Sequence, residues 1–316
     1  MKIVDAHCDV LLKLWEDERR SFQNDEEIQA NYERLKEGNV QIQCFALFAE
    51  PYLKNDEKFR AILKQVQLFH EKVLQAPNVK HIRKWEDVFS LEPHEIGAIL
   101  TLEGMDAAGD DLDRLKMLLE LGVLSVGITW NEANLCADGV LEERGAGLTK
   151  LGKEAVSLLN SRRIFTDVSH LSERGFWDCV ENSDYIWASH SNAKAICSHP
   201  RNLTDEQIRA LIKKDGLIGV VFYPPFLTEE NEADATHVLR HIDHICSLGG
   251  KNHLCFGSDF DGIPATVKNF RHSGEYPAFV EVLLKYYSES DVRGFCSENF
   301  YRMIRKHFIW KQLDIE

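Results

Sequence analysis

The chain has 316 residues, of which 44% are hydrophobic and 28% are charged, as in globular proteins with one large α/β domain or two small ones. The formal net charge of −14 argues against nucleic acid or an anionic membrane as a partner, because phosphate binding needs clustered Lys and Arg. No apolar run approaches the roughly 20 residues that span a bilayer, and the N-terminus lacks the pattern of a signal peptide. We therefore expect a cytoplasmic protein whose partner is a small molecule.

The eight cysteines form no CxxC pair, and most of them lie in apolar segments such as VQIQCFALF. In a reducing compartment such thiols are usually small buried hydrophobic groups. We expect no disulfide framework.

Short β-rich segments alternate along the chain with amphipathic, helix-like segments. The β-rich segments are KIVDAH, VQIQCFALF (40–48), GAILTLEG (97–104), VLSVGITW (123–130), IFTDVSH (164–170), YIWASH (185–190), LIGVVFY (217–223) and HLCFGSD (253–259). Eight such units predict an α/β fold, a closed (β/α)8 barrel of the TIM type. We expect one domain over residues 1–316, with a helical insertion at about 16–37 and a C-terminal helical cap at about 264–316.

Polar side chains collect at the predicted C-terminal ends of these strands, where barrels of this type carry their chemistry. His7 and Asp9 follow the first strand and would face the same side, because residues i and i+2 of an extended chain project together. The remaining strand-end side chains are Glu103, Trp130, Asn131, His170, His190, Tyr223 and Asp259.

These strand ends predict a site for two divalent cations that share one carboxylate. Barrel geometry assigns His7, Asp9 and Glu103 to one metal, and Glu103, His170 and His190 to the other. A water held between the metals would become the nucleophile. Asp259 would then take its proton and pass it to a leaving amine, so the predicted reaction is hydrolysis of an amide-like bond.

Six stretches in chain order resemble the membrane dipeptidase (renal dipeptidase) family, a branch of the metal-dependent amidohydrolase-type barrels. They are DAHCD, TLEGMD, ITWNEANLCADG, TDVSHLS, ASHSNAKAICSHPRNLTDEQI and CFGSDFDG. The resemblance implies two Zn²⁺ ions on the ligands given above and cleavage of dipeptides, both L-Xaa-L-Xaa and L-Xaa-D-Xaa. It implies that Arg201 binds the substrate carboxylate and that Asp259 is the acid/base group. The members that the chain resembles are the soluble, bacterial-type ones. The resemblance also suggests a homodimer.

The fourth-strand stretch departs from the family pattern at Trp130. The family typically has Thr-His there, and the resemblance makes that His a group that polarises the scissile carbonyl. Trp offers one N–H donor and no basic nitrogen. We expect Trp130, Asn131 and Tyr223 to contact the substrate, with an altered substrate preference.

Several alternatives remain open. Asp261 competes with Asp259 for the base role, although its position two residues further on favours a part in anchoring the loop. His237, His241 and His244 have metal-like helical spacing, but a helix on the outside of the barrel would keep them from the mouth. The function could instead be that of a related amidohydrolase acting on N-acyl amino acids or cyclic amides. A metal-binding scaffold that has lost its activity is a further alternative.

Overall fold

The structure is a computed structural model, and it describes residues 1–230 and 232–310. Residues 311–316 of the predicted C-terminal cap lie outside this part of the chain. The strands of the described residues are β1 (Ile3–Asp5), β2 (Val40–Phe48), β3 (Val79–His81), β4 (Ile96–Glu103), β5 (Val123–Gly127), β6 (Phe165–Asp167), β7 (Ile186–Trp187), β8 (Ile218–Val220) and β9 (Leu254–Phe256).

Eight of these strands form a parallel sheet in the order β7-β6-β5-β4-β2-β1-β9-β8. A parallel bridge between Ala188 and Ile218 joins the two outer strands and brings the sheet round into a barrel. The predicted (β/α)8 fold is therefore confirmed. β2 is buried along almost its whole length, as expected of a parallel strand that is covered on both faces.

The short strand β3 was not predicted. It pairs with the first residues of β4, from Ile96 to Ala98, on the side where β5 pairs with the later residues of β4. Three residues are too few to show the alternating pattern by which a strand is recognised in sequence.

Each barrel strand is followed by a helix. The α-helices of the described residues are α1 (Val10–Glu16), α2 (Tyr32–Glu37), α3 (Asn55–Leu68), α4 (Leu112–Glu120), α5 (Lys150–Ser161), α6 (Glu173–Asn182), α7 (Asp205–Lys213), α8 (Pro224–Leu227), α9 (Ala235–Ser247), α10 (Tyr276–Leu283), α11 (Glu289–Arg293) and α12 (Asn299–Ile304). Capping follows the local sequence: Thr149 and Thr204 each accept a hydrogen bond from a backbone N–H in the first turn of α5 and α7. Among these described helices, none combines the length and the apolar character that a membrane crossing requires.

The segment expected to be a helical insertion is mostly turns. Helix is confined to α2, while residues 17–31 form a series of turns. The reason is local: the side chains of Asp17 and Asp25 each accept a hydrogen bond from a backbone N–H two residues on, which favours turns over helix. In the C-terminal region, residues 264–272 are irregular, and α10, α11 and α12 supply the helices of the expected cap.

Aromatic rings pack the core beside β6 and β7. Phe165 lies within 5.1–5.6 Å, between ring centroids, of Trp85, Trp187 and Phe308. All eight cysteines are free, and all except Cys246 are buried.

Candidate active site

Parallel pairing brings the predicted site residues to one end of the barrel. Glu103 is the last residue of β4 and is in register with Phe48 of β2 and Gly127 of β5. His7 comes two residues after the end of β1, and His170 comes three residues after the end of β6. Because all the barrel strands run the same way, their C-terminal ends share one rim.

The carboxylate of Glu103 lies between three imidazoles. Its Oε1 is 2.8 Å from His170 Nε2 and 3.7 Å from His190 Nε2, and its Oε2 is 3.7 Å from His7 Nε2. One carboxylate therefore reaches histidines from three different strands.

Two further acids approach the same nitrogen of His7. Asp9 Oδ2 is 3.3 Å and Asp259 Oδ1 is 3.8 Å from His7 Nε2. The backbone of Asp259 has φ +64°, in the left-handed region. A Cβ added to the nearby Gly262 would come within 2.2 Å of Asp9 Oδ2. The chain can approach the two acids closely there because residue 262 has no side chain.

A cavity of about 280 Å³ opens at this rim. Its polar lining includes every predicted ligand except His7, which is buried beneath it, and also Arg201 and Asp259. The apolar part of the wall consists of Leu12, Phe48, Trp130, Tyr223, Phe226, Ile263 and Pro264. The cavity is of a size to admit a small substrate next to the convergent acids and imidazoles.

The acids dominate the electrostatics on the His7 side. Burial lowers the pKa of His7, but the charges of Glu103, Asp9 and Asp259 outweigh burial and raise that pKa to about 10. Burial, together with the charges of Asp9 and Asp259, raises the pKa of Glu103. Burial and the charge of Asp9 likewise raise the pKa of Asp259. So many buried acids around one imidazole favour the binding of positive charge.

The opposite side of the cavity disfavours a proton on its imidazoles. Burial and the charge of Arg201 hold the pKa of His170 well below its usual range. Burial and the neighbouring charges of His7, His170 and Arg201 do the same to the pKa of His190. Both rings are therefore neutral near pH 7, the form in which imidazole binds a metal.

The donor set fits metal ions. His7 Nε2 is buried and has no hydrogen-bond partner among the described residues, while His170 Nε2 and His190 Nε2 face each other at 2.8 Å. His170 Nδ1 lies 2.8 Å from the amide oxygen of Asn131, which can only accept, so the proton is on Nδ1 and the Nε2 lone pair faces the cavity. Arg201 Nη2 reaches the Nε2 of His170 at 3.1 Å. Lone pairs and a carboxylate that converge in this way favour a cation between them. Among the described residues, donor atoms that all lie within 4.8 Å of one another come from His7, Glu103 and His190, and from His7, Asp9 and Asp259. These sets differ from the predicted ones, because His7 stands in place of His170 in the first and Asp259 in place of Glu103 in the second.

Comparison with known proteins identifies the family. The family model described as Membrane dipeptidase (Peptidase family M19) matches residues 1–313. This chain belongs to the membrane dipeptidase family. It is a metal-dependent dipeptidase, a hydrolase.

Relatives of this dipeptidase agree in sequence and in fold. Dipeptidase aclJ of Aspergillus oryzae is 28% identical over 307 residues, which cover 90% of this chain and 72% of the relative. A metallo peptidase from Rhodobacter sphaeroides, in complex with a phosphinate mimic of the dipeptide L-Ala-D-Ala, is 27% identical with a TM-score of 0.91, covering 98% of this chain and 99% of the other. The crystal structure of dipeptidase AC is 29% identical with a TM-score of 0.90, covering 97% and 98% of the two chains.

Trp130 and Asn131, two of the predicted substrate contacts, have different neighbours. Trp130 lines the cavity and packs against Phe48, with 5.3 Å between ring centroids. Asn131 also lines the cavity, but its amide oxygen is engaged by His170. Asn131 therefore orients the His170 ring and also faces the cavity.

Two alternatives raised by the sequence were a base role for Asp261 and a metal site on α9. The contacts of these residues point to other roles. Asp261 accepts hydrogen bonds from the backbone N–H groups of Gln29 and Ala30, at 2.7 and 3.0 Å, and so anchors the turn segment after α1. On α9, His241 lies between the backbone N–H of Ala193 and the carbonyl of Leu227, away from the mouth.

Sequence reasoning missed the groups directly beneath the site. Asp5 accepts hydrogen bonds from the backbone N–H groups of His7 and Ser258 and from the hydroxyl of Tyr276. Asp167 holds the segment that carries His190, because it accepts hydrogen bonds from the backbone N–H and the hydroxyl of Ser189. The available signal was an acid two or three residues before a strand-end histidine, in DAH and in DVSH.

Proposed function

We propose that this dipeptidase uses two zinc ions, with His7, Asp9 and Glu103 holding one and Glu103, His170 and His190 holding the other. The observation that supports this assignment is the position of Glu103. Its two oxygens lie within 3.7 Å of the imidazoles in both proposed ligand sets. A shared carboxylate with imidazole and carboxylate neighbours is a donor set that zinc accepts.

Asp259 is the acid/base group of the proposed reaction. When bound, the metals supply Lewis-acid activation of water and of the scissile carbonyl. Asp259 lies on the wall of the cavity, and burial with the charge of Asp9 raises the pKa of its carboxyl toward neutrality. A carboxyl of this kind accepts a proton from the attacking water and returns it to the leaving amine.

Arg201 recognises the carboxylate of the dipeptide. Its side chain is buried on the cavity wall, and its Nε and Nη1 have no hydrogen-bond partner within the described part of the chain. The guanidinium is held above the ring of Phe226, 5.4 Å from the ring centroid. Its Nη2 already donates to His170 Nε2 at 3.1 Å and to the carbonyl of His190 at 3.3 Å, which leaves Nε and Nη1 as charged donors for a carboxylate.

The substrates are dipeptides of the L-Xaa-L-Xaa and L-Xaa-D-Xaa classes. The Rhodobacter sphaeroides relative binds a mimic of L-Ala-D-Ala, and its fold superposes on almost the whole of this chain. The space around Arg201 and the Trp130 wall is small, which favours two residues over a longer peptide.

The test combines metal content with hydrolysis. The purified protein should hold about two zinc equivalents and cleave both L-Ala-L-Ala and L-Ala-D-Ala, and Glu103→Gln should lose metal and activity together. Glu132→Gln, a change at an exposed acid next to Asn131, is the matched control and should change neither. Full metal content in Glu103→Gln would contradict the bridging assignment.

A panel of substrates separates the dipeptidase from the related amidohydrolase. Cleavage of N-acetylated amino acids or cyclic amides at rates equal to those of free dipeptides would favour the amidohydrolase. The Trp130 side chain supports a second candidate, a metal-binding protein without turnover, because it stands where the family resemblance expects His. Metal binding with no hydrolysis, and hydrolysis restored by Trp130→His, would establish that candidate.

A further inference from the structure

The two imidazoles on the Arg201 side of the cavity are oriented by different means. His170 is oriented by the amide of Asn131, whereas His190 Nδ1 lies 2.8 Å from Ser189 Oγ. A hydroxyl can donate or accept, so by itself Ser189 does not determine where the proton of His190 resides.

The carboxylate of Asp167 removes that ambiguity. Its Oδ1 accepts hydrogen bonds from the backbone N–H groups of Ser169 and Ser189, at 3.1 and 3.0 Å, and from the hydroxyl of Ser169 at 2.6 Å. Its Oδ2 accepts the hydroxyl hydrogen of Ser189. With that hydrogen engaged, Ser189 Oγ can only accept from His190, so His190 carries its proton on Nδ1.

We propose that Asp167 and Ser189 are positioning residues, which together hold His190 in the tautomer whose Nε2 lone pair faces Glu103 and His170. This inference rests on the proposed metal assignment for the functional consequence, but the tautomer itself is a property of the metal-free chain. Partners of this kind behind a metal-binding histidine raise metal affinity, typically by about 10–100-fold.

The hydrogen bonds from His190 through Ser189 to Asp167 form a relay. Asp167→Asn reverses the direction of this relay without changing the shape of the side chain. The two backbone N–H groups and the Ser169 hydroxyl require an oxygen at the Oδ1 position, so the amide NH2 of the new side chain must take the Oδ2 position. That NH2 then donates to Ser189 Oγ, and the hydroxyl hydrogen of Ser189 turns to His190 Nδ1 at 2.8 Å in preference to Ser169 Oγ at 3.3 Å. The proton of His190 must move to Nε2, where it blocks the metal position.

The experiment measures the tautomer and the metal affinity separately. In ¹⁵N-histidine-labelled, metal-free protein, two-bond ¹H–¹⁵N spectra should show His190 protonated on Nδ1 in the wild type and on Nε2 in Asp167→Asn. Zinc titration against a competing chelator should show one of two sites weakened by about 10–100-fold in Asp167→Asn. Ser125→Ala is the matched control, because Ser125 is a buried strand serine whose hydroxyl accepts from Trp187 Nε1, outside the relay, and it should change neither measurement.

Ser189→Ala provides a second variant, which does not depend on how the Asp167→Asn substitution is tolerated. It removes the acceptor of the His190 proton, so the zinc affinity of one site should again fall and the Nδ1 form should no longer predominate. Wild-type tautomer and wild-type zinc affinity in either variant would overturn the proposal. If the wild type bound no zinc, the proposed function would fail, while the spectra of the metal-free protein would still decide whether the relay exists.

Discussion

Two groups of three histidines in this chain differ in what their rings contact. On α9, His237, His241 and His244 follow one helix face, yet each has its own partner: Asp234 for His237, backbone groups for His241 and Asp205 for His244. At the barrel mouth, histidines from three distant strands direct their Nε2 atoms to one carboxylate.

A metal centre depends on converging lone pairs rather than on spacing along a helix. On α9 every ring is engaged locally, and the neighbouring acids are partly or largely exposed. At the mouth the rings of His170 and His190 are oriented through their Nδ1 atoms, so that their Nε2 atoms face Glu103. The comparison can be tested by perturbing both groups.

The largest effect is expected from removal of a mouth histidine. His190→Ala should lose one zinc equivalent and lower kcat/KM by on the order of 10⁴-fold, because a metal supplies several kcal/mol of transition-state stabilisation. His244→Ala on α9 is the matched control and should keep both the metal and the activity. Zinc content by elemental analysis and dipeptide hydrolysis measure the two outcomes; a loss of metal in His244→Ala would remove the distinction between the groups.

The second effect distinguishes the role of Asp259 from that of Asp261. Asp259→Asn should retain metal, because the proposed assignment places no metal on Asp259, and should lower kcat by on the order of 10³-fold, because a positioned general base is lost. Loss of one zinc equivalent in Asp259→Asn would instead make Asp259 a ligand beside His7 and Asp9. Asp261→Asn should affect mainly stability, since it loses an acceptor for the backbone of the 17–31 segment. Steady-state kinetics and thermal unfolding of the two variants test this, and the reverse pattern would transfer the base role to Asp261.

The third effect concerns acid stability of the α9 region. Burial lowers the pKa of His241 from its ordinary value of 6.5 to about 4. Protonation therefore favours the unfolded chain as the pH falls from about 6.5 to 4, and stability is lost in that window by up to about 3 kcal/mol. Above pH 6.5 the ring is neutral in both states, and the folded protein has no such penalty.

Denaturant unfolding of wild type and His241→Gln at about pH 7 and about pH 4.5 isolates this contribution. The free energy of unfolding should fall less with acid in His241→Gln than in the wild type, since glutamine does not titrate. Equal losses in the two proteins would show that His241 is protonated as readily in the folded state as in the unfolded chain.

The smallest effect is expected at His244, in the last turn of α9. His244 Nε2 lies 2.7 Å from Asp205 Oδ1, and the two side chains are 21% and 30% exposed. His244→Gln should change the free energy of unfolding by less than about 1 kcal/mol, as is usual for partly exposed pairs. A change of several kcal/mol would mean that α9 depends on this contact far more than its exposure suggests.

Much of the fold could be predicted because its strands have a strong local signal. The β2 segment VQIQCFALF is largely apolar and is buried on both faces, as parallel strands require. β3 and the turns of residues 17–31 escaped prediction because each depends on few residues: three in the strand, and single Asp side chains in the turns.

The candidate site was predictable in its residue types but not in its supporting contacts. His7, Glu103 and Asp259 were recognisable because a barrel brings strand ends together. The relay from Asp167 through Ser189 was not, since its meaning lies in which atom donates to which. That direction depends on the backbone N–H groups that orient the carboxylate of Asp167.

The alternation of strands and helices, with polar residues at the strand ends, follows from the amino-acid sequence alone, because hydrophobic periodicity and local capping act over a few residues. Only the tertiary structure decided which of those residues meet, since Glu103 and His190 are 87 positions apart and approach through the parallel pairing of β4, β5, β6 and β7. It also decided that the histidines of α9 remain apart from the mouth, because that helix packs outside the barrel and engages each ring where it lies.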